Sequence, residues 1–399
     1  MIQAITLQRY IYSIPMLLIW GFTLFIALTA YQDFLLGGNS WKQGDWLINS
    51  IEITIRRGMM GSMLLKVAQG LSIDVLLLVV VVQVGLLLAT VGLTTVALKR
   101  KCSPSTLWLL ILSPGFFIGF WALDSQGGLR KELISFFAFA LMLFAASQHT
   151  PNKFLIYFSA VVFGFATISH EGNLFFAPFF AFCFWLARSR LVISRLDFVA
   201  LLGIIGSACL IAVLIAFAVG ELTDYMAVCQ PILNAGVSAE MCEGAIKALE
   251  IPLSEYMTAT FWVLFSSKIF SFALLYALTA VSILVIGSYL IGGRIFVRAY
   301  IASAFLFLPL YVVALDWGRW VSWHTTAVVF TLLIAISFGV QKRANAQEMP
   351  IRMFSVLLVF NVVWGFSHFV DVIWGGIAWK TLKSTFILLG LDHVALPAT

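Results

Sequence analysis

The sequence predicts an all-α fold: a polytopic transmembrane bundle of about 11 spans, within a range of roughly 10 to 13. Three observations predict it. Hydrophobic residues make up 62% and charged residues 11% of 399, where soluble domains carry roughly half and a quarter. Apolar runs of roughly 18 to 25 residues recur along the whole chain, each long enough for a hydrocarbon core about 30 Å thick. Strand-length alternation is missing, which argues against a β-barrel.

The runs fall at about 12–30, 72–97, 106–122, 133–147, 154–169, 173–187, 198–219, 262–291, 299–315, 323–340 and 354–371. The first follows Arg9, exceeds the apolar core of a secretory signal and reads as an uncleaved helix. Alternation then sorts the connections into two sets. One holds 13 basic residues, from Arg9, Lys99, Arg100 and Lys101 to Lys342, Arg343 and Arg352, against the acids Asp197 and Glu348; the other holds 11 basic residues and 16 acids. The positive-inside bias places the first set, with the N-terminus, in the cytoplasm. The net charge of +6 therefore reads as topology. With no nucleotide-binding glycine loop, zinc spacing or basic tail, nucleic acid is excluded as a partner.

The chain reads as one integral membrane domain, 1–399, with two long extracytoplasmic loops, 31–70 and 220–260. In the first, Trp46, Leu47, Ile48, Ile51, Ile55 and Met59 recur at helical spacing, which predicts an amphipathic helix along the interface, with Trp41 and Trp46 at headgroup depth. In the second, Cys229 and Cys242 could pair in an oxidising compartment; Cys102, Cys183 and Cys209 read as packing residues. The tail beyond Asp371, with Trp374, Trp379, Lys380 and Lys383, reads as returning to the outer surface.

The strongly polar clusters all fall on the extracytoplasmic side, mostly at helix ends. Arg56-Arg57-Gly58 heads a short link into the second span; it is either a pair of snorkelling anchors or a guanidinium clamp for phosphate. Asp124 with Gly127-Gly128 and Arg130-Lys131-Glu132 is either an internally neutralised turn or an anion site of free amides and positive charge. His170-Glu171 breaks an apolar stretch, as a structural pair or as a proton acceptor with its orienting partner. Asp316 and Arg319, three residues apart, share a helical face among Trp317, Trp320 and Trp323. They form an interfacial belt or a polar cleft whose tryptophans stack on sugar rings, with His324 one turn beyond Trp320. Charges at bilayer depth are costly and normally face a protein interior or a water-filled cavity.

The set Asp45, Arg56-Arg57-Gly58, Arg130-Lys131-Glu132, His170-Glu171 and Asp316-Trp317-Gly318-Arg319-Trp320 resembles the layout of bacterial surface-polysaccharide (O-antigen) polymerases of the Wzy type and of the related GT-C membrane glycosyltransferases. The resemblance implies a protein of the bacterial inner membrane. It would transfer a glycan from a polyprenyl-diphosphate donor to a lipid-linked glycan acceptor at the extracytoplasmic face, with a chain-length regulator or other assembly proteins as partners. On that reading Arg56, Arg57, Arg130, Lys131 and Arg319 contact the diphosphate. Asp45, Glu171, Asp316 and His170 are the catalytic candidates, and Trp317, Trp320 and His324 contact sugar. The first loop lacks paired aspartates, Asp33 and Asp45 standing alone, so neither metal nor cofactor is expected. A transporter or flippase of a lipid-linked or anionic solute, and a membrane O-acyltransferase with His170 or His324 as base, are the alternatives.

Overall fold

The computed structural model describes residues 2–100, 106–124, 126–219, 222–266, 268–340 and 349–376. Helix accounts for 77% of it. The chain opens with α1 (Ile2–Leu35), a short α2 (Lys42–Leu47), α3 (Gly58–Leu71) and α4 (Val75–Arg100). Then come α5 (Thr106–Ile111), α6 (Phe117–Leu123), α7 (Glu132–Ser147), α8 (Lys153–Ser169), a 3-10 turn over Glu171–Phe176, α9 (Ala177–Ser189) and α10 (Arg195–Ala218). After α11 (Met226–Asn234) follow α12 (Leu253–Leu264), α13 (Lys268–Gly287), α14 (Gly293–Phe305), α15 (Leu308–Val313), α16 (Trp317–Ser337) and α17 (Ile351–Val362). The antiparallel hairpin β1 (Trp364–Phe366) and β2 (Val372–Trp374) closes the described chain.

Among the described residues, five helical stretches are long and apolar enough to cross a membrane: Ser13–Leu35, Val75–Arg100, Arg195–Ala218, the 46-residue Lys268–Val313 and Trp317–Ser337. Helices α7, α8 and α17 are apolar but shorter. These stretches do not by themselves establish the expected count of about 11, and two of the expected apolar runs break. The run at 106–122 splits around Pro114, which lacks an amide donor, and the Phe117 amide finds Thr326 Oγ1 on α16 instead, at 3.0 Å. The run at 354–371 leaves its helix at Val362 and turns into the hairpin.

Helix α16 is the central post, with 89% of its apolar window buried, whereas α10 buries 22% and is exposed around most of its circumference. The polar side chains of α16, including Ser322, His324, Thr325 and Thr326, are tolerated because protein encloses them. An aromatic ladder locks α16 to α7 and α9, with Phe139 stacked 4.1 Å from Phe180 and 5.5 Å from Phe330 between ring centroids. Between α9, α14 and α16 lies a half-open apolar cavity of about 510 Å³, walled by Pro178, Phe179, Ile295, Ser303 and Thr331.

The expected amphipathic helix over Trp46 to Met59 does not form. Helix α2 stops at Leu47, an irregular segment follows, and α3 starts at Gly58. Trp46 is wholly buried rather than at headgroup depth, and its indole N–H donates to the Leu129 carbonyl at 2.8 Å. Trp41, 40% exposed, remains at the surface. Gly58 and Gly61 allow a close backbone approach, since a side chain at either would run into Ser50 or the Ile48 carbonyl. Cys229 and Cys242 are disulfide-bonded, with Cα atoms 5.9 Å apart. Their loop is tied to the first one by Asn49 Nδ2 donating to the Val228 carbonyl (2.7 Å) and the Ala245 amide to the Ser40 carbonyl (3.0 Å). Cys183 and Cys209 are free thiols among apolar helices. The expectations for Lys101, Cys102, Lys342, Arg343, Glu348, Trp379, Lys380 and Lys383 lie outside the described residues.

Candidate functional site

The site is assembled on the loop between α6 and α7. Leu129 adopts a left-handed conformation (φ 55°), which a branched side chain accepts only under outside constraint. That constraint is visible: Trp46 Nε1 and Gln83 Nε2 both donate to its carbonyl, at 2.8 and 2.7 Å. The turn delivers Arg130, Lys131 and Glu132 in succession to the end of the bundle where α16 begins.

Four other stretches meet them there. Asp45 on α2 accepts from the Lys131 amide at 3.3 Å. Arg57, itself left-handed at φ 67°, directs its guanidinium to Glu171, with Nε and Nη2 at 2.8 and 2.6 Å from Oε1, while its carbonyl accepts from Lys131 Nζ at 2.8 Å. Arg56 approaches the same carboxylate at 3.6 Å. Arg319, in the first turn of α16, makes a two-pronged pair with Glu132 (3.1 and 2.8 Å) and reaches Asp316 at 3.4 Å. The indole rings of Trp320 and Trp323 lie 5.2 and 5.1 Å from its guanidinium. Arg130 reaches Asp316 at only 3.8 Å and sits over Trp41 at 5.4 Å.

The result is one network in which five cations face four carboxylates. Its inner members Asp45, Lys131, Glu132, His170 and Arg319 are buried, while Arg56, Arg57, Glu171 and Asp316 form an accessible rim. Burial opposes ionisation of Asp45, but the charges of Lys131, Arg130 and Arg57 outweigh it and hold the carboxyl at about 2. Burial likewise works against Glu171, yet Arg57 keeps it well below the usual carboxylate range. Lys131 is pushed down to about 8 and His170 to about 3, both mainly by burial, so His170 is a neutral ring at physiological pH.

The geometry separates the expected residues into groups. Arg56, Arg57, Arg130, Arg319, Asp45, Glu171 and Asp316 do converge. Lys131, expected at the diphosphate, is enclosed and instead ties the α6–α7 loop to the Arg57 backbone. His170 turns Nδ1 toward the Gly172 amide at 3.0 Å, as a helix cap. Trp317 packs edgewise against Phe272 and Tyr311 rather than facing the network, and Trp320 gives a face to Arg319. His324 lies deeper in the bundle, bonded to Tyr276 (2.6 Å) and Ser303 (2.8 Å) beside the apolar cavity. Two members of the site carry no local signal of their role: Glu132, whose partner Arg319 is 187 residues away, and His368, bonded to Asp124.

Several buried donors remain without an acceptor among the described residues, namely Arg130 Nε and the indole N–H groups of Trp317, Trp320 and Trp323. An unpaired buried donor costs about 1–3 kcal/mol, so those of Arg130, Trp320 and Trp323, which lie in the network, suit a ligand or water rich in oxygen, while that of Trp317 is turned away from it. No group of three or more His, Cys, Asp or Glu poised to hold a metal ion occurs among the described residues.

Fold and site together define a helical membrane protein with a built ionic site at one end of its bundle. No protein-family model, curated protein or solved structure matches the chain.

Proposed function

We propose that the protein transfers a glycan from a polyprenyl diphosphate to a hydroxyl of a second lipid-linked glycan, at the extracytoplasmic face of a bacterial inner membrane, in the manner of surface-polysaccharide polymerases. One observation carries the reading: three separate stretches deliver four guanidinium groups to a single site, and Arg130, the least neutralised of them, keeps a donor with no acceptor. As the glycosidic bond breaks, negative charge grows on the leaving diphosphate, and cations already in place stabilise that state more than the ground state. Arg130 is the first phosphate contact on this reading, with Arg56 and Arg57 at the accessible rim. Arg319 and Arg57 are held by Glu132 and Glu171 and act with a charge partly spent. The positive-inside bias supports the orientation.

The transporter reading draws less support, since solute sites of transporters lie near the midplane between repeats and this network gathers at one end. The O-acyltransferase reading has one observation in its favour, His324 bonded to Ser303 beside an apolar cavity. Incorporation of acyl groups with unchanged glycan length would select it.

The test is complementation of a strain lacking the protein with wild type, Arg130→Ala and Arg130→Lys at matched membrane levels, reading the length distribution of surface glycan. Arg130→Ala is expected to abolish long chains and Arg130→Lys to restore part of them, because an ammonium supplies charge without the two-pronged contact. Unchanged chain length in both variants refutes the phosphate role.

A further inference from the structure

The network holds cations in abundance but lacks a proton acceptor. Three of its four carboxylates are bound to a cation, Glu171 by Arg57, Glu132 by Arg319 and Asp316 between Arg319 and Arg130, while Asp45 accepts from the Lys131 backbone amide and is held ionised by the charges of Lys131, Arg130 and Arg57. An opposing charge that stabilises a carboxylate also weakens it as a base. His170 spends the lone pair of Nδ1 on the Gly172 amide, so its other nitrogen carries the hydrogen. His324 is enclosed between Tyr276 and Ser303, and His149 stands in the connection between α7 and α8.

His368 differs from all of these. It occupies the turn between β1 and β2, and its Nδ1 lies 2.5 Å from Asp124 Oδ2, the oxygen that also accepts its backbone amide at 2.5 Å. Asp124 is fixed from the other side, Oδ1 accepting from the Gln126 and Gly127 amides at 3.1 and 3.2 Å. Burial opposes its ionisation, but the hydrogen bonds from His368 and Gly127 hold the carboxyl below its usual range. An ionised carboxylate only accepts, so Nδ1 donates, and in the neutral ring the lone pair sits on Nε2. No partner of Nε2 occurs among the described residues.

The turn also meets the start of α16, where the His368 carbonyl accepts from the Gly318 amide at 3.0 Å, between Asp316 and Arg319. Within the α6–α7 loop that carries Asp124, the Gln126 carbonyl accepts from Arg130 Nη2 at 3.4 Å. The charged groups on the elements packed against the turn are Asp124 after α6, Asp316 and Arg319 at the start of α16, and Asp371 within the turn, bonded to Ser367.

We propose that His368, oriented by Asp124, is the general base for the acceptor hydroxyl. The inference rests on the glycosyl-transfer reading above. Nε2 takes the hydroxyl proton as the oxygen forms its bond to the anomeric carbon. The bond from that carbon to the diphosphate oxygen breaks, and its electron pair leaves with the diphosphate, raising the charge beside Arg130 by one unit. The imidazolium then returns the proton to water. Nucleophile activation and leaving-group stabilisation thus come from two sides of one loop, Asp124 at its start and Arg130 at its end.

The test uses the full-length protein in nanodiscs, with lipid-linked glycan extracted from a strain lacking the protein as donor and acceptor. Wild type, His368→Gln, His368→Ala, Asp124→Asn and Arg130→Ala are compared, with thermal unfolding of each. His368→Gln is expected to keep KM within about threefold and lose about 10²- to 10⁴-fold in kcat. The acidic limb of the kcat/KM pH profile is expected to vanish with it, and added imidazole to restore part of the His368→Ala rate, which a purely structural loss does not do. Asp124→Asn is expected to lower kcat less. If Arg130→Ala is inactive while His368→Gln stays within threefold of wild type, the base assignment is overturned and the transfer reading stands. If wild type itself makes no longer glycan, both fall together.

Discussion

Replacing Arg319 by Ala removes one partner of the most enclosed ion pair in the molecule. The two-pronged contact with Glu132 spans 3.1 and 2.8 Å, and the side chains are 4% and 0% exposed. The variant leaves the buried Glu132 carboxylate without its paired cation, a loss of about 3–5 kcal/mol. At about 2 °C per kcal/mol, extrapolated to a chain of this size, the unfolding midpoint should fall by about 6–10 °C. The converse change, Glu132→Gln, should cost less, because Arg319 keeps Asp316 at 3.4 Å and two indole faces. The double variant Arg319→Met with Glu132→Leu should recover most of the loss, since an apolar pair of similar volume replaces a buried ion pair at little net cost. Thermal unfolding in nanodiscs, arranged as a double-mutant cycle, reads all three. A single Arg319→Ala midpoint within 1–2 °C of wild type, or a double variant no better than the worse single one, would refute the reasoning.

Three further outcomes follow from other contacts. Gly318→Ala places a methyl group against the Ser367 carbonyl, so the hairpin must lift from α16; activity should fall sharply and protease nicking near the hairpin should rise, and intact protection would count against this. Lys131 is pushed down from 10.5 to about 8, so the unfolded chain binds more protons than the folded one between those values. Stability should therefore rise with pH across that window by about 3 kcal/mol, and the rise should be missing from Lys131→Met. Cys229→Ser opens a short disulfide loop worth about 3 kcal/mol in chain entropy. Mass spectrometry after alkylation should show Cys229 and Cys242 of wild type modified only with reductant, and modification without it would disprove the link.

Composition was enough for the class, because burying so many apolar residues in so few charges leaves only a bilayer-spanning bundle. It was not enough for the continuity of each run, since hydropathy cannot tell a continuous helix from one that breaks at Pro114, where the Phe117 amide finds its acceptor on α16. The convergence of Arg57, Arg130, Glu171, Asp316 and Arg319 was legible because charge inside an apolar chain has few places to go. The pairing of those charges was not. Asp316 and Arg319 stand three apart and announce themselves, but Arg319 spends its better hydrogen bonds on Glu132 across 187 residues. Trp46 misled for a related reason: its spacing suits an interface, yet an indole N–H that reaches the Leu129 carbonyl gains more from burial. His368 gave no signal at all, because Asp124 meets it only after the chain has turned back as a hairpin.

The cavity between α9, α14 and α16 bears on what counts as the complete molecule. Ile295 beside it is 74% exposed and Leu306 40% exposed, so this quadrant has no wall of its own. In a bilayer, fluid hydrocarbon would complete the packing there, and α14 would lean on its solvent as much as on its neighbours. Stripping that solvent away removes a structural component, so the length and shape of the amphiphile chosen for purification become variables of the fold.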